Sequence, residues 1–210
     1  MYKKVIKRIS DIIFSIVITP FLLPIILILG VMILLEDGTP IFYCANRLGY
    51  KGKTYRMYKL RTMKNNAPDL RNSDGSTFNA EDDPRVTKVG RVLRKLSLDE
   101  LPQIFNVLKG NMSFVGPRPD LPEHIKLYDE TVKKKLNVLP GITGYNQAYF
   151  RNSIELSKRF QNDVFYVDNI SFCFDMKILF KTIVSVLKKD NIYAENGMTP
   201  EQIKEYEEEC

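Results

Sequence analysis

Two adjacent carboxylates, Asp99 and Glu100, head an apolar-periodic stretch, with Arg91, Arg94 and Lys95 just before them and Arg118 after, between Pro117 and Pro119. Carboxylates can act as nucleophiles or bind a hard cation, and arginines on stiff supports suit bidentate contact with phosphate, so this grouping points to phosphoryl transfer. Leu101, Ile104, Phe105 and Leu108 recur at three- and four-residue spacing, which predicts a helix from Asp99 to Lys109 ended by Gly110. Pro102 is tolerated only in the first turn, which favours a start at Asp99. The carboxylates then lie where the helix is positive, a place that also attracts phosphate. A structural reading competes: Ser97-Leu-Asp-Glu100 matches a capping box, and aspartate is a good N-cap. Local sequence leaves both readings open.

The elements that must hold this grouping include a membrane segment. Ile12 to Leu35 is an uncharged run of 24 residues behind a basic flank of Lys3, Lys4, Lys7 and Arg8. About 20 apolar residues cross a bilayer, and the run is too long and lacks the cleavage site of a signal peptide. A straight span with its basic flank in the cytoplasm would export everything after Glu36. Pro20 and Pro24 each remove a backbone hydrogen bond, and the expectation is a helix that bends at Pro24 and returns to its starting face, against the simpler reading of a kinked span.

The 210 residues, 44% of them hydrophobic, suffice for one domain core. Cys44, Cys173 and Cys210 form no paired pattern, so a disulfide framework is not expected. With His124 the only histidine, a metal site would use oxygen ligands, which points to magnesium. From Asp190 to Cys210 seven acidic residues face one lysine, a net of −6, so residues 1–189 carry +12 of the chain's total of +6. That excess suits anionic lipid or polyphosphate partners; no nucleic-acid signature accompanies it.

Ile41-Phe-Tyr43 and Thr54 to Tyr58 read as strands around Gly49-Tyr-Lys-Gly52, and Asn65 to Pro84 as a mobile surface loop. Phe174 to Lys189 reads as an amphipathic helix, with Ile178, Leu179, Ile183, Val186 and Leu187 on one side; core packing and a place in the membrane interface are both open. Thr199-Pro-Glu-Gln202 starts a tail helix.

Six motifs in one order resemble the bacterial sugar transferases called monotopic phosphoglycosyl transferases: Tyr2 to Asp11, Tyr58-Lys-Leu-Arg-Thr-Met63, Ser97-Leu-Asp-Glu-Leu101, Phe114-Val-Gly-Pro-Arg-Pro119, Pro140-Gly-Ile-Thr-Gly144 and Asp163-Val-Phe-Tyr166. The resemblance runs from Met1 to about Tyr193. It implies a helix-rich α+β fold, a single compact cytosolic domain with an N-terminal re-entrant membrane helix and amphipathic interfacial helices. The implied divisions are an anchor over 1–37, a catalytic domain over 38–193 and an acidic tail helix over 194–210. The implied location is the bacterial inner membrane, facing the cytoplasm. This chain departs from the common family form at Leu23, where a serine usually precedes the proline, and at Leu139 and Tyr145, where a basic residue and a tryptophan are commoner. Loss of that serine leaves the bend to be supported by Thr19 or by contacts the sequence does not show.

The roles implied are specific. Asp99 attacks the sugar-linked phosphorus of a UDP-sugar, UMP leaves, and undecaprenyl phosphate takes the phosphosugar. Carboxylate attack on a diphosphate needs cations, for which the expectation is Mg²⁺ on Asp99 and Glu100, with Lys59, Arg94, Arg118 and Arg151 around the phosphates. Glu100 is base, metal ligand or cap. Gln147 and Tyr145, with Tyr149, are candidate nucleotide or sugar contacts. The rival readings are a membrane-anchored scaffold and a glycosyl transferase that releases UDP.

Overall fold

The computed structural model describes residues 2–71, 78, 80, 82–150 and 154–188; Arg151, Cys210 and the acidic tail fall outside the described residues. After a wide helical turn at Tyr2–Ile6, helix α1 spans Lys7–Asp37. Among the described residues it is the one helix long and apolar enough to cross a membrane. Its secondary structure runs unbroken through Pro20 and Pro24. The Thr19 hydroxyl donates to Ser15 O at 2.6 Å. That carbonyl is one the Thr19 N–H can already serve, so Thr19 does not relieve Ile16 or Pro20, whose carbonyls the two prolines leave without a helical donor.

One stripe of α1, formed by Asp11, Ser15, Ile26, Gly30 and Ile33, is buried against the domain, while Phe21 and Leu27 on other faces are 72% and 70% exposed. Both ends of α1 are fastened to the same body. At the start, Arg8 Nη1 donates to Val107 O at 2.7 Å, and Asp11 Oδ1 accepts from Phe114 N at 3.2 Å. Lys7 pairs with the buried Asp175, which also accepts from the hydroxyls of Tyr2 and Tyr166. At the finish, Asp37 pairs with Arg61 at 2.6 Å, and Arg61 also donates to Asp37 O and Gly38 O.

Strands β1 (Phe42–Leu48) and β2 (Thr54–Leu60) form an antiparallel hairpin in which Tyr43 faces Lys59 and Arg47 faces Tyr55. Both are longer than their sequence signal, and the tight link at Tyr50–Gly52 places Lys51 and Gly52 at positive φ. Helix α2 (Lys88–Lys95) follows, capped by the Thr87 hydroxyl and by Glu36, whose carboxylate accepts from Lys88 N and Val89 N at 2.7 and 2.8 Å. Gly90 lets α2 lie on the end of the hairpin, since a Cβ there would sit 2.0 Å from Thr62 O.

The expected helix from Asp99 to Lys109 is instead two pieces: a 3₁₀ segment, Leu98–Gln103, and a short α3, Ile104–Leu108. Pro102 explains the division, because its ring crowds the carbonyl four residues back and the tighter turn avoids an α-helical bond there. A parallel pair, β3 (Ser113–Val115) and β4 (Gly141–Thr143), follows, then α4 (Tyr145–Tyr149), α5 (Leu156–Asp168) and α6 (Phe172–Lys188). Gly116 and Gly141 permit that pairing, since a Cβ on either meets backbone atoms of the opposite segment within 2.6 Å.

Two further expectations need correcting. The Asn65 to Pro84 stretch is not simply surface loop: among its described residues Phe78, Ala80 and Asp83 are buried, and Asp83 pairs with the buried Arg85 at 2.7 Å. The apolar side of α6 is divided. Phe174, Ile178 and Leu179 pack on a core of Val115, Ala148, Tyr166 and Val167. Phe172, Met176, Phe180, Ile183 and Leu187 form an exposed stripe at helical spacing.

Candidate active site

The hairpin, the 3₁₀ segment and the loop after β3 converge on a cleft of about 950 Å³. Lys59 comes from the end of β2, and the 3₁₀ turn brings Asp99 and Glu100 opposite it. Lys59 Nζ lies 2.7 Å from Glu100 Oε1 and 3.5 Å from Asp99 Oδ2. Asn106 fixes this juxtaposition. It is fully buried, accepts from Tyr58 N at 3.0 Å and donates to Arg56 O at 2.8 Å, so α3 is stitched to the edge of β2 beside Lys59.

The capping reading of Glu100 is not realised. Ser97 stands at the helix start in left-handed backbone with no side-chain cap bond, and Glu100 pairs with Lys59 instead. Asp99 lies in the first turn, as the sequence implies, and is 8% exposed. Burial pushes its carboxyl above the ordinary aspartate range, against the pull of Lys59 and Arg94 and with added repulsion from Glu100. Burial acts on Glu100 in the same direction. There the charges of Lys59 and Arg118, with hydrogen bonds from Lys59 and Gln103, outweigh it and hold the carboxyl below its usual range.

Arg94, on α2, donates through Nε to Thr62 Oγ1 at 3.0 Å and lines the same cleft. Arg118 also lines it, on a loop held from behind by a buried charge cluster. In that cluster Lys135 bridges Asp120 and Asp163, Tyr128 donates to Asp120, and Asn146 donates to Asp163 at 2.7 Å. Thus Asp163 and Tyr166 of the fourth-quarter motif shape the site from outside, Tyr166 through bonds to Val115 O and Asp175. Gln147 reaches the cleft, and its Oε1 is buried with no hydrogen-bond partner among the described residues. Tyr145 does not line the cleft; its ring packs in an aromatic group with Tyr149, Phe165 and Phe174 at centroid distances of 4.9, 5.3 and 5.9 Å.

Two adjacent carboxylates beside three cations in an open cleft suit a phosphate-bearing ligand, and the order of motifs that builds them is that of one family. The profile of the bacterial sugar transferases matches residues 2–189. The chain belongs to the bacterial sugar transferase family. This sugar transferase is an enzyme, a phosphoglycosyl transferase. It is 43% identical over 198 residues to the uncharacterized sugar transferase EpsL of Bacillus subtilis, covering 94% of this chain and 95% of that one. It is 40% identical over 199 residues to the undecaprenyl-phosphate galactose phosphotransferase of Salmonella typhimurium, covering 90% of this chain and 42% of that one. Against the UDP-N-acetylgalactosamine-undecaprenyl-phosphate N-acetylgalactosaminephosphotransferase of Aeromonas hydrophila it is 37% identical over 188 residues, 87% of this chain and 44% of that one. This sugar transferase therefore spans nearly all of the first relative and less than half of the other two.

Proposed function

We propose that the enzyme transfers a phosphosugar from a UDP-sugar to undecaprenyl phosphate and releases UMP, as the first membrane step of a bacterial surface glycan pathway. The observation that carries this is the buried Asp99, set beside Lys59 and Glu100 on the wall of a cleft that also presents Arg94 and Arg118. An Asp99 oxygen attacks the sugar-bearing phosphorus. The bond from that phosphorus to the bridging oxygen breaks, its electron pair leaves on UMP, and an acyl phosphate remains on Asp99. An oxygen of undecaprenyl phosphate then attacks the same phosphorus and restores the carboxylate. Lys59 and the arginines face the negative charge that accumulates as carboxylate and diphosphate meet.

Among the described residues no three or more His, Cys, Asp or Glu side chains gather to cage a metal. Two carboxylates next to a phosphate site instead suit magnesium, which commonly takes one or two protein carboxylates and completes its shell with substrate phosphate and water. Asp99 and Glu100 would hold it, and when bound it supplies further neutralisation of the diphosphate.

The membrane placement proposed is monotopic, at the cytoplasmic face of the bacterial inner membrane, with α1 re-entrant. Support comes from the fastening of Arg8, Asp11 and Asp37 to one body and from the apolar surface that α1 turns outward. The exposed stripe of α6 suits the interface between headgroups and acyl chains.

The deciding experiment supplies purified protein with Mg²⁺, undecaprenyl phosphate and a panel of UDP-sugars and identifies the nucleotide released. UMP is expected from the wild type, with a loss of about 10⁴-fold or more in Asp99→Asn. Release of UDP would establish transfer of the sugar alone, and no release from any donor would favour a scaffold.

A further inference from the structure

The cleft holds a cation that neither the motif reading nor the chemistry at Asp99 uses. Arg47, on β1, lines it together with Arg118. Side chains alternate along a strand and directly opposed residues share a face, so Tyr43 and Arg47 on β1 stand on the same face as Tyr55 and Lys59 on β2. Arg47 lies four residue steps along β1 from Tyr43, the position opposite Lys59, about 13 Å at Cα level. Arg47 thus stands further along the cleft from the two carboxylates than Lys59 does.

Its surroundings leave its charge without a counterion. Among the described residues neither Arg47 nor Arg118 has a carboxylate within ion-pair distance, and the hydrogen bond of the Arg47 guanidinium runs at 3.2 Å to the carbonyl of Asn46, its own chain neighbour. The Tyr55 hydroxyl across the hairpin is buried and takes no hydrogen bond, so it does not anchor Arg47. Arg47 is half-buried, and Arg118 and Arg71 both repel it. Leu48 N donates to Asp120 O at 2.9 Å, which brings the chain at Arg47 beside the chain at Arg118, and the charge of Arg118 also acts on Glu100. Two part-buried guanidinium groups that line one cleft on neighbouring segments without a carboxylate partner among the described residues suit an anion between them, and phosphate offers each a two-point contact.

We propose that Arg47 and Arg118 together bind the phosphate that departs with the nucleotide. This rests on the proposed reaction. In-line displacement puts the leaving oxygen opposite the attacking carboxylate. The phosphorus under attack lies at Asp99 and Lys59, and the next phosphate along the donor falls at the arginine pair. There the pair receives the charge that develops on the bridging oxygen as its bond to phosphorus breaks. Arg47 is a substrate-binding residue for the nucleotide half of the donor.

Binding of UMP to full-length protein in nanodiscs tests this without turnover. The variants are Arg47→Ala, Arg47→Lys, Arg118→Ala and the Arg47→Ala/Arg118→Ala pair, with unchanged melting temperature as the check of folding. UMP affinity is expected to fall about tenfold or more in Arg47→Ala and to recover partly in Arg47→Lys. The double variant is expected to lose less than the product of the single losses, as for two groups on one phosphate. If Arg47→Ala itself fails to fold, Arg47→Lys and Arg47→Gln replace it, with glutamine weaker than lysine as the supporting order. Unchanged UMP affinity in a folded Arg47→Ala, or no UMP binding by the wild type, overturns the inference. Turnover by the wild type with either result would leave the proposed reaction standing. Arg47-dependent UMP binding without turnover from any UDP-sugar would do the reverse.

Discussion

Asp99 and Glu100 are chain neighbours that share one lysine, yet their acidities move apart, Asp99 above its ordinary range and Glu100 below. Burial dominates at the first, and the charges of Lys59 and Arg118 prevail at the second. A nucleophilic Asp99 must be ionised, so the rate falls as pH drops through its raised folded-state value. Lys59 is the strongest charge opposing burial at Asp99, so Lys59→Met raises that value further. The acid limb of kcat/KM against pH is then expected to move to higher pH than in the wild type; an unmoved or lower limb would contradict the assignment. Asp99, Glu100, Arg94 and Arg118 were legible in the sequence because they crowd around one helix start and one proline-flanked loop. Asn106 and Gln103 were not, since a buried amide inside an apolar-periodic stretch gives no sign of which backbone or carboxylate it will meet. Arg47 was equally silent, because a single arginine in a strand reads as a solvated charge.

At the level of elements, α2 carries Arg94 and is held at its start by a carboxylate from the end of α1. Glu36→Ala leaves the N–H groups of Lys88 and Val89 without that acceptor. The expected cost is about 1 kcal/mol, comparable to loss of an N-cap, which for a chain of this size lowers Tm by roughly 2–4 °C in a thermal melt. An unchanged melt would show that water replaces Glu36 at no cost. An unbroken apolar run made α1 readable and apolar spacing made α6 so, and the glycine-rich turn marked the hairpin. The parallel β3–β4 pair was beyond reach, since three-residue strands carry no period and their partnership spans the chain from Ser113 to Gly141. The 3₁₀ segment escaped for a related reason: the apolar spacing of Leu98–Gln103 fits an α-helix equally well, and only the clash at Pro102 selects the tighter turn.

For the molecule as a whole, Lys3, Lys7 and Arg8 ahead of the apolar run have partners within the protein. Lys3 donates to Val167 O at 3.0 Å, Lys7 pairs with Asp175, and Arg8 reaches Val107 O and Leu108 O at the end of α3. A tag placed before Tyr2 and another after Cys210 are therefore expected on the same side of the membrane in a protease-protection assay. Protection of one and cleavage of the other would sink the re-entrant placement. These same contacts set an order of events during synthesis. Lys3 and Lys7 meet partners 164 and 168 residues further along the chain, and Arg8 meets one 99 residues on. At ribosomal speed those partners emerge roughly five to thirty seconds after the residues they meet. In the proposed placement α1 enters the lipid and waits there, undocked, so closure of the molecule around its own beginning is among the last steps of its birth.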